Sequence, residues 1–334
     1  MFEITTNDAV VVIEQLPSNA NKITVKPFKN DFFIPIKSLE TRYSVKLIEK
    51  ILAVKGADYL CDEIARDEDE NYVKKDIETD LKSYFPHEDF AEKIILDFGC
   101  GSGSSSMVLA RMFPKAKIVG VELEEKHLSI ARARLEFYGY ENIEFHRSPS
   151  GSELPANVGE VDLVIMSAVY EHLLPAERRS VMPLVWSKIK TGGFLFLNMT
   201  PHRFFPVEHH TTGLPLINYL PKSLTYFAAR RFSKRLDPTE AWETYLRRGI
   251  RGGTENEILK ILNADTKNAA LIEPAAENIK DRIDLWFSQL NQDKMRAIKK
   301  SIKLSMKSLK FLTGIVLVPN LSLVFQKNSK NIPN

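Results

Sequence analysis

The sequence predicts an α/β fold, a doubly wound, mostly parallel sheet of seven strands, with helical covers supplied by the N-terminal segment and by an insertion. Three observations lead there. The apolar run Ile94-Ile95-Leu96 ends in Asp97 and passes through a turn with glycine at every second position into a helical stretch, Ser105–Met112. Short apolar segments then alternate with patterns of helical length, as in a parallel sheet wound by crossover helices. Val161–Met166 is apolar at nearly every position, as expected of a strand covered on both faces.

In chain order, residues 1–38 hold two short strand patterns, Ala9–Glu14 and Lys22–Phe28, about the turn-like Pro17-Ser18-Asn19. Leu39–Val54 reads as a helix with Val45, Leu47, Ile48, Ile51 and Leu52 in its apolar stripe, and helical material continues to Phe85, where Pro86 ends it. After the glycine turn, Ala116–Glu122 is a second strand ending in an acid. Glu124–Tyr138 is a helix with Leu128, Ala131, Leu135 and Tyr138 on one face. Asn142–His146, Val161–Met166 and Phe194–Asn198 are strands three to five, the last after the turn Thr191-Gly192-Gly193. Residues 201–268 form a long insertion rich in Pro, His, Arg and aromatics. Ala269–Glu273 and Leu321–Phe325 then read as strands six and seven, with helix over Ile283–Leu312 between them. The expected organisation is therefore an N-terminal extension and cap (1–90), a nucleotide-binding core (91–200), a substrate-binding insertion (201–268) and a C-terminal completion of the sheet (269–334).

The glycine turn carries the chemistry. Each glycine allows a backbone path or a close ligand approach that a Cβ would block, and the helix behind presents free N–H groups. The dinucleotide fingerprint G-x-G-x-x-G needs no preceding carboxylate, because its ligand there is an anionic pyrophosphate. This chain has Gly99, Gly101 and Gly103 with Asp97 ahead of them. A carboxylate at the strand tip repels pyrophosphate and suits an ammonium or sulfonium group.

The stretch Leu96-Asp97-Phe98-Gly99-Cys100-Gly101-Ser102-Gly103 resembles motif I of the class I S-adenosylmethionine (SAM) methyltransferases. The resemblance covers about residues 91–200. It implies a Rossmann-like methyltransferase fold with SAM as cofactor, and Gly192-Gly193-Phe194 corresponds to the family's approach to strand five. Glu122, at the tip of the second strand, suits the two ribose hydroxyls of an adenosine. Family members usually carry an Asp or Asn after strand three for the adenine amino group; here that stretch offers Ser148 or Ser150 instead. Leu123, Ser167 and His172 complete the candidate cofactor contacts. Family members commonly cover the cofactor cleft with N-terminal helices, where Arg42 and Tyr43 are candidates.

Composition sets the context. The chain has 334 residues, 44% hydrophobic and 27% charged, with net charge +3. With only Cys61 and Cys100, a reducing cytoplasm is expected rather than a disulfide framework. The start lacks a signal-peptide pattern, and no apolar run has membrane-spanning length. Acids dominate from Asp58 to Glu92, and after Asp293 there are only bases among the charged residues. Met295, Ile298, Ile302, Met306 and Leu309 lie at helical spacing among lysines, the pattern of a helix on an anionic membrane and equally of one packed on the sheet; the packed helix is expected. Arg230, Arg231, Lys234, Arg235, Arg247, Arg248 and Arg251 make the insertion basic, but no nucleic-acid module is recognisable and no nucleic-acid partner is expected.

Methyl transfer to a hydroxyl needs alignment, a dry cleft and a proton acceptor, for which histidine is suited. His172, His202, His209 and His210 follow strands four and five. His172 lies in Tyr170-Glu171-His172, and similar Glu-His pairs close over the cofactor in many family members. His209, between Glu208 and His210, is the first choice of base; His172, His202, His210 and Glu208 are the others. Glu208, His209 and His202 lack compact metal-ligand spacing, so no metal is expected. The function expected is SAM-dependent methylation of a hydroxyl on a small molecule or glycan. N- or C-methylation of a small molecule and non-catalytic SAM binding are the alternatives. The absence of an Asn-Pro-Pro-Tyr-type motif after strand four disfavours amino groups on bases as targets.

Overall fold

The computed structural model describes residues 1–29, 34–86, 90–276, 278–290 and 295–329. Glu88, Asp89, Asp293, Lys294 and Lys330, which belong to the two charge runs, lie outside the described residues. A seven-stranded sheet runs in the order β12-β13-β9-β8-β5-β6-β7, with β5–β6, β6–β7 and β8–β9 parallel and β13 antiparallel to both β9 and β12. The chain divides into two compact units, Met1–Glu78 with Phe90–Ser148, and Thr79–Asp89 with Pro149–Asn334.

The first unit opens with an antiparallel meander of β1 (Phe2–Thr5), β2 (Ala9–Gln15), β3 (Asn21–Pro27) and β4 (Ser38–Thr41). Ala9, Val11 and Ile13 alternate on β2, Ile23 and Val25 on β3, and this face packs on Ile48, Ile51, Leu60 and Ile64 of α1 (Val45–Glu68). The N-terminal cover is thus a small sheet with a helix, not helix alone. The helix expected over Leu39–Val54 starts later. Leu39 pairs with Ile23 as part of a strand, and the Ser44 side chain caps the helix by accepting the Leu47 N–H. An apolar residue at the right spacing does not reveal that its neighbours are hydrogen-bonded to another strand. A wide turn over Glu70–Lys74 leads to α2 (Lys75–Tyr84). The strand–helix alternation follows as β5 (Ile94–Phe98), α3 (Ser104–Met112), β6 (Lys117–Glu122), α4 (Glu125–Tyr138) and β7 (Ile143–Arg147).

The second unit holds β8 (Val161–Ser167), α5 (Pro175–Lys188) and β9 (Ile189–Pro201). The turn expected at Thr191–Gly193 lies inside a continuous β9; Gly192 takes φ 85°, and the pairing with β8 shifts register between Val161 and Leu163. The insertion starts as a hairpin of β10 (Val207–Glu208) and β11 (Leu214–Pro215). It continues through α6 (Lys222–Phe232), α7 (Trp242–Arg247) and α8 (Glu255–Leu262) around a small core of Ile217, Ala229, Leu236, Tyr245 and Ile250. Several of its basic residues brace it from within: Arg230 donates to Pro238 O, Arg235 to His209 O, and Arg251 to Leu220 O, while Arg248 pairs with Glu240.

After β12 (Ala269–Ile272) come α9 (Arg282–Gln289), α10 (Arg296–Thr313) and β13 (Asn320–Lys327). α10 packs through Met306 on Ile283, Val316 and Val318, whereas Ile298, Ile302, Phe311 and Leu312 are exposed. Among the described residues no helix is long and apolar enough to cross a membrane. Asp281 caps α9, accepting the Ile283 and Asp284 N–H groups at 3.1 Å, and its carboxylate takes Lys307 at 2.7 Å and Lys310 at 2.8 Å. Burial pushes its pKa up, but the lysine hydrogen bonds and the helix N–H groups outweigh this and hold it at about 2, below the ordinary 3.8. Because the folded pKa is depressed, the stabilisation is present above the unfolded value and is lost as pH falls towards the folded one. Asp281→Asn is therefore expected to cost about 2 kcal/mol at pH 7, with the gap closing near pH 2, as urea unfolding across pH would measure.

Candidate active site

In the first unit, the glycine turn closes on the tip of β6. The N–H groups of Gly99 and Cys100 donate to Val121 O at 2.8 and 3.1 Å, and that of Gly103 donates to Cys100 O at 2.9 Å. Gly101 has φ 55°, and a Cβ built there meets no atom within 4 Å, so open space lies above the turn. Gly103, at φ 83°, is required for packing instead, since a Cβ would stand 2.7 Å from Ala131 Cβ. Glu122 accepts the Gly101 N–H at 3.0 Å on one oxygen and the N–H groups of Leu123 and Glu124 at 2.7 and 2.9 Å on the other. The carboxylate is thus fixed beside the glycine turn with lone-pair capacity remaining. Next to it the Leu123 side chain is 41% exposed, an apolar surface of the kind an adenine face covers. Ser148 is buried at the tip of β7, where its N–H donates to Glu122 O.

Asp97 is held from the helix side. It is 1% exposed, and one of its oxygens accepts the Ser105 and Ser106 hydroxyls at 2.7 and 2.6 Å, which ties the strand tip to the first turn of α3. Burial raises its pKa, partly opposed by these serines. Arg42 and Tyr43, the candidates to cover the cofactor cleft, both have partners within the first unit. Arg42 pairs with Glu68 at 3.3 Å, and Tyr43 is fully buried with its hydroxyl on Asp67 and Arg134. The sequence reading missed the support behind the turn. Arg134, fully buried on α4, donates to Ser102 O at 2.7 Å and to Glu63 Oε1 at 3.0 Å, while the Ser102 hydroxyl also donates to Glu63.

The second unit gathers its own group at the carboxyl end of β8. Ser167 ends the strand, and Ala168 turns with φ 54°, its N–H on Asn198 O at 3.1 Å. A short 3₁₀ turn, Tyr170–His172, follows. Glu171 is fully buried; Oε2 accepts the Thr200 hydroxyl at 2.8 Å, while Oε1 lacks a hydrogen-bond partner among the described residues. His172 lies 2.6 Å through Nδ1 from Arg247 O and 3.8 Å through Nε2 from Glu171 Oε1. The His210 ring centroid is 5.8 Å from that of His172. Burial raises the Glu171 pKa; burial and the neighbouring His172 lower that of His210.

The other candidates of the insertion loop separate from this group. His209 points its Nε2 at Asn320 Oδ1, 3.0 Å away. Glu208 is 3% exposed and braces its own turn, accepting the N–H groups of His210, Thr211 and Thr212 and the Thr212 hydroxyl. His202 is 5% exposed, its Nδ1 accepts the Phe204 N–H at 3.1 Å, and burial together with Arg282 lowers its pKa to about 4. A loop has no periodicity from which these directions could have been read. Glu171 was legible only as the neighbour of His172, and the partnership of both with His210 depends on the path of the insertion.

Residues 95–193 match the model of a family described as methyltransferase domain. The trans-aconitate 2-methyltransferase of Variovorax paradoxus is 29% identical over 34% of this chain and 41% of its own length. The demethylmenaquinone methyltransferase of Lactococcus lactis is 28% identical over 42% of this chain and 54% of its own, and the ubiquinone biosynthesis O-methyltransferase of Acinetobacter baylyi is 29% identical over 32% and 44%. The chain spans about half or less of the length of these relatives. Among solved structures, YcgJ from Bacillus subtilis aligns over 76% of this chain and 99% of its own at 14% identity, with a TM-score of 0.44. The open space over Gly101, the fixed Glu122 carboxylate and the exposed Leu123 fit an adenosine-bearing ligand. Residues 95–193 thus form a methyltransferase domain, and their glycine turn is that of the class I type, whose cofactor is S-adenosylmethionine.

Proposed function

We propose that the protein methylates a hydroxyl oxygen of a small-molecule acceptor. The observation that carries this reading is the group of Glu171, His172 and His210 at the carboxyl end of β8, the end of a parallel strand at which α/β proteins bind ligands. The cofactor, when bound, supplies an electrophilic methyl on a sulfonium. Gly101 leaves room for it, and Glu122 and Leu123 offer a diol acceptor and an apolar face. An acceptor hydroxyl that took this methyl would have to lose its proton, the cofactor leaving as the neutral thioether. His210 or His172 receives that proton and passes it to water. Desolvation and the neighbouring His172 lower the His210 pKa, which favours the neutral imidazole able to accept it. His209, turned to Asn320, is displaced as first choice of base. The relatives named above methylate trans-aconitate, or act in the biosynthesis of ubiquinone, or methylate demethylmenaquinone, all small molecules.

The test is incubation with methyl-labelled cofactor and small-molecule extracts, followed by identification of the labelled product. On that acceptor His210→Ala is expected to lower kcat by roughly 10²–10⁴-fold with cofactor affinity nearly unchanged, while His209→Ala stays close to the parent. A labelled amine or carbon product, or full turnover by both His172→Ala and His210→Ala, refutes the reading.

A further inference from the structure

We propose that Glu171, His172 and His210 bind one first-row divalent metal ion of the zinc or manganese type. One ligand atom from each of the three lies within 4.8 Å of the others. Atoms sharing an ion at about 2.0–2.2 Å stand roughly 3–4 Å apart, so small side-chain rotations complete the site.

Two further observations point to a cation. The first is Glu171 Oε1, which belongs to a fully buried residue, has no hydrogen-bond partner among the described residues and faces His172 Nε2 at 3.8 Å. The short contact from His172 Nδ1 to Arg247 O requires the proton on Nδ1, because a carbonyl can only accept. Nε2 is therefore the ring nitrogen left to bind an ion, and it faces a carboxylate oxygen. A buried carboxylate oxygen beside a ring nitrogen with no proton between them is unfavourable, and 3.8 Å is too long for a shared proton to bridge as a hydrogen bond. A cation on both resolves the arrangement.

The second is the set of groups that orient the ligands. The Arg247 carbonyl fixes the His172 ring, and the Thr200 hydroxyl occupies Glu171 Oε2 and leaves Oε1 free, as partners behind metal ligands do. Gly249, at φ 91°, lets the backbone close directly on the group: a Cβ there would stand 2.9 Å from His210 Cδ2 and 3.1 Å from Glu171 Cγ. No such set was visible in the sequence, because the third ligand comes from the insertion and not from the Glu-His turn.

Two imidazoles and one carboxylate favour zinc, manganese, iron or cobalt over magnesium or calcium, which prefer all-oxygen sites. Three protein ligands leave room for an exchangeable oxygen ligand. The role of the ion rests on the function proposed above: with the ion bound, His172 and His210 would hold it rather than take the proton themselves, and an acceptor hydroxyl on the ion would ionise more readily, its proton passing to water. Its binding does not depend on that reading.

Chelator-treated, untagged protein titrated calorimetrically with Zn²⁺ or Mn²⁺, in the absence of cofactor, is expected to bind one ion per chain. Glu171→Gln and His210→Ala should each weaken binding at least 100-fold, and Thr200→Val by roughly 10-fold, the loss typical of an orienting partner. Co²⁺ should give visible ligand-field absorption in the parent that His210→Ala lacks. Circular dichroism establishes that each variant is folded, and His172→Gln, read by the same Co²⁺ band, serves if His210→Ala is not. A parent protein that binds none of these ions, or a folded His210→Ala that binds as the parent does, overturns the proposal. Loss of methyl transfer with intact Zn²⁺ titration would refute the functional reading alone.

Discussion

Gly101→Val is expected to abolish binding of S-adenosylmethionine while leaving the protein folded. The residue combines φ 55° with open space where a side chain would project, and Glu122 holds its N–H at 3.0 Å. A valine there would occupy the space above the turn that the cofactor needs. It would also strain the backbone, since a left-handed conformation costs a residue with a Cβ about 1–2 kcal/mol. The two effects can be separated. Gly139, which ends α4, has φ 67° and likewise nothing within 4 Å of its Cβ position, so Gly139→Val carries comparable strain away from the turn. Calorimetry should show binding lost in Gly101→Val and retained in Gly139→Val. Unchanged affinity in the first would remove the turn from the cofactor site, and equal loss in both would assign the effect to stability.

The parts of this molecule governed by local pattern were legible in its sequence. The strand, glycine turn and helix at 94–112 occur where the spacing puts them, as do Lys117–Glu122 and Glu125–Tyr138, because periodicity and glycine placement act over a few residues. Leu39 was misassigned because its partner, Ile23, lies in another segment. The site was legible on one side only. Glu122 follows from its position at a strand tip, whereas the separation of His210 from His209 depends on how Glu208 folds the turn around itself. At Asp97 the motif specifies the place, whereas the two hydroxyls on its carboxylate come from Ser105 and Ser106, which the motif does not specify.

Arg134→Met is expected to produce the largest loss of stability. The guanidinium is fully buried and joins three segments: Nε donates to the Tyr43 hydroxyl at 2.8 Å, Nη1 to Ser102 O and Glu63 Oε1, and Nη2 to Glu63 O at 2.7 Å. Methionine keeps much of the volume and removes the charge. Glu63, 6% exposed, would lose its main partner, and breaking a buried pair in this way costs about 3–5 kcal/mol. The pH dependence distinguishes lost charge pairing from lost packing. Burial pushes the Glu63 pKa up, but Arg134, Lys55 and the Ser102 hydroxyl bring it below the ordinary value. In the parent, this carboxylate contributes stability above its unfolded pKa and loses it as pH falls through the lower folded one. Without Arg134, burial dominates, the folded pKa rises above the unfolded one, and the ionised group becomes a liability at neutral pH that protonation relieves. Urea unfolding should therefore show the largest deficit near pH 7 and a smaller one near pH 4, together with weaker cofactor binding, because the Ser102 carbonyl of the glycine turn has lost its anchor. A deficit of the same size at both pH values would assign the cost to packing and remove the ion pair from the account of how the turn is held.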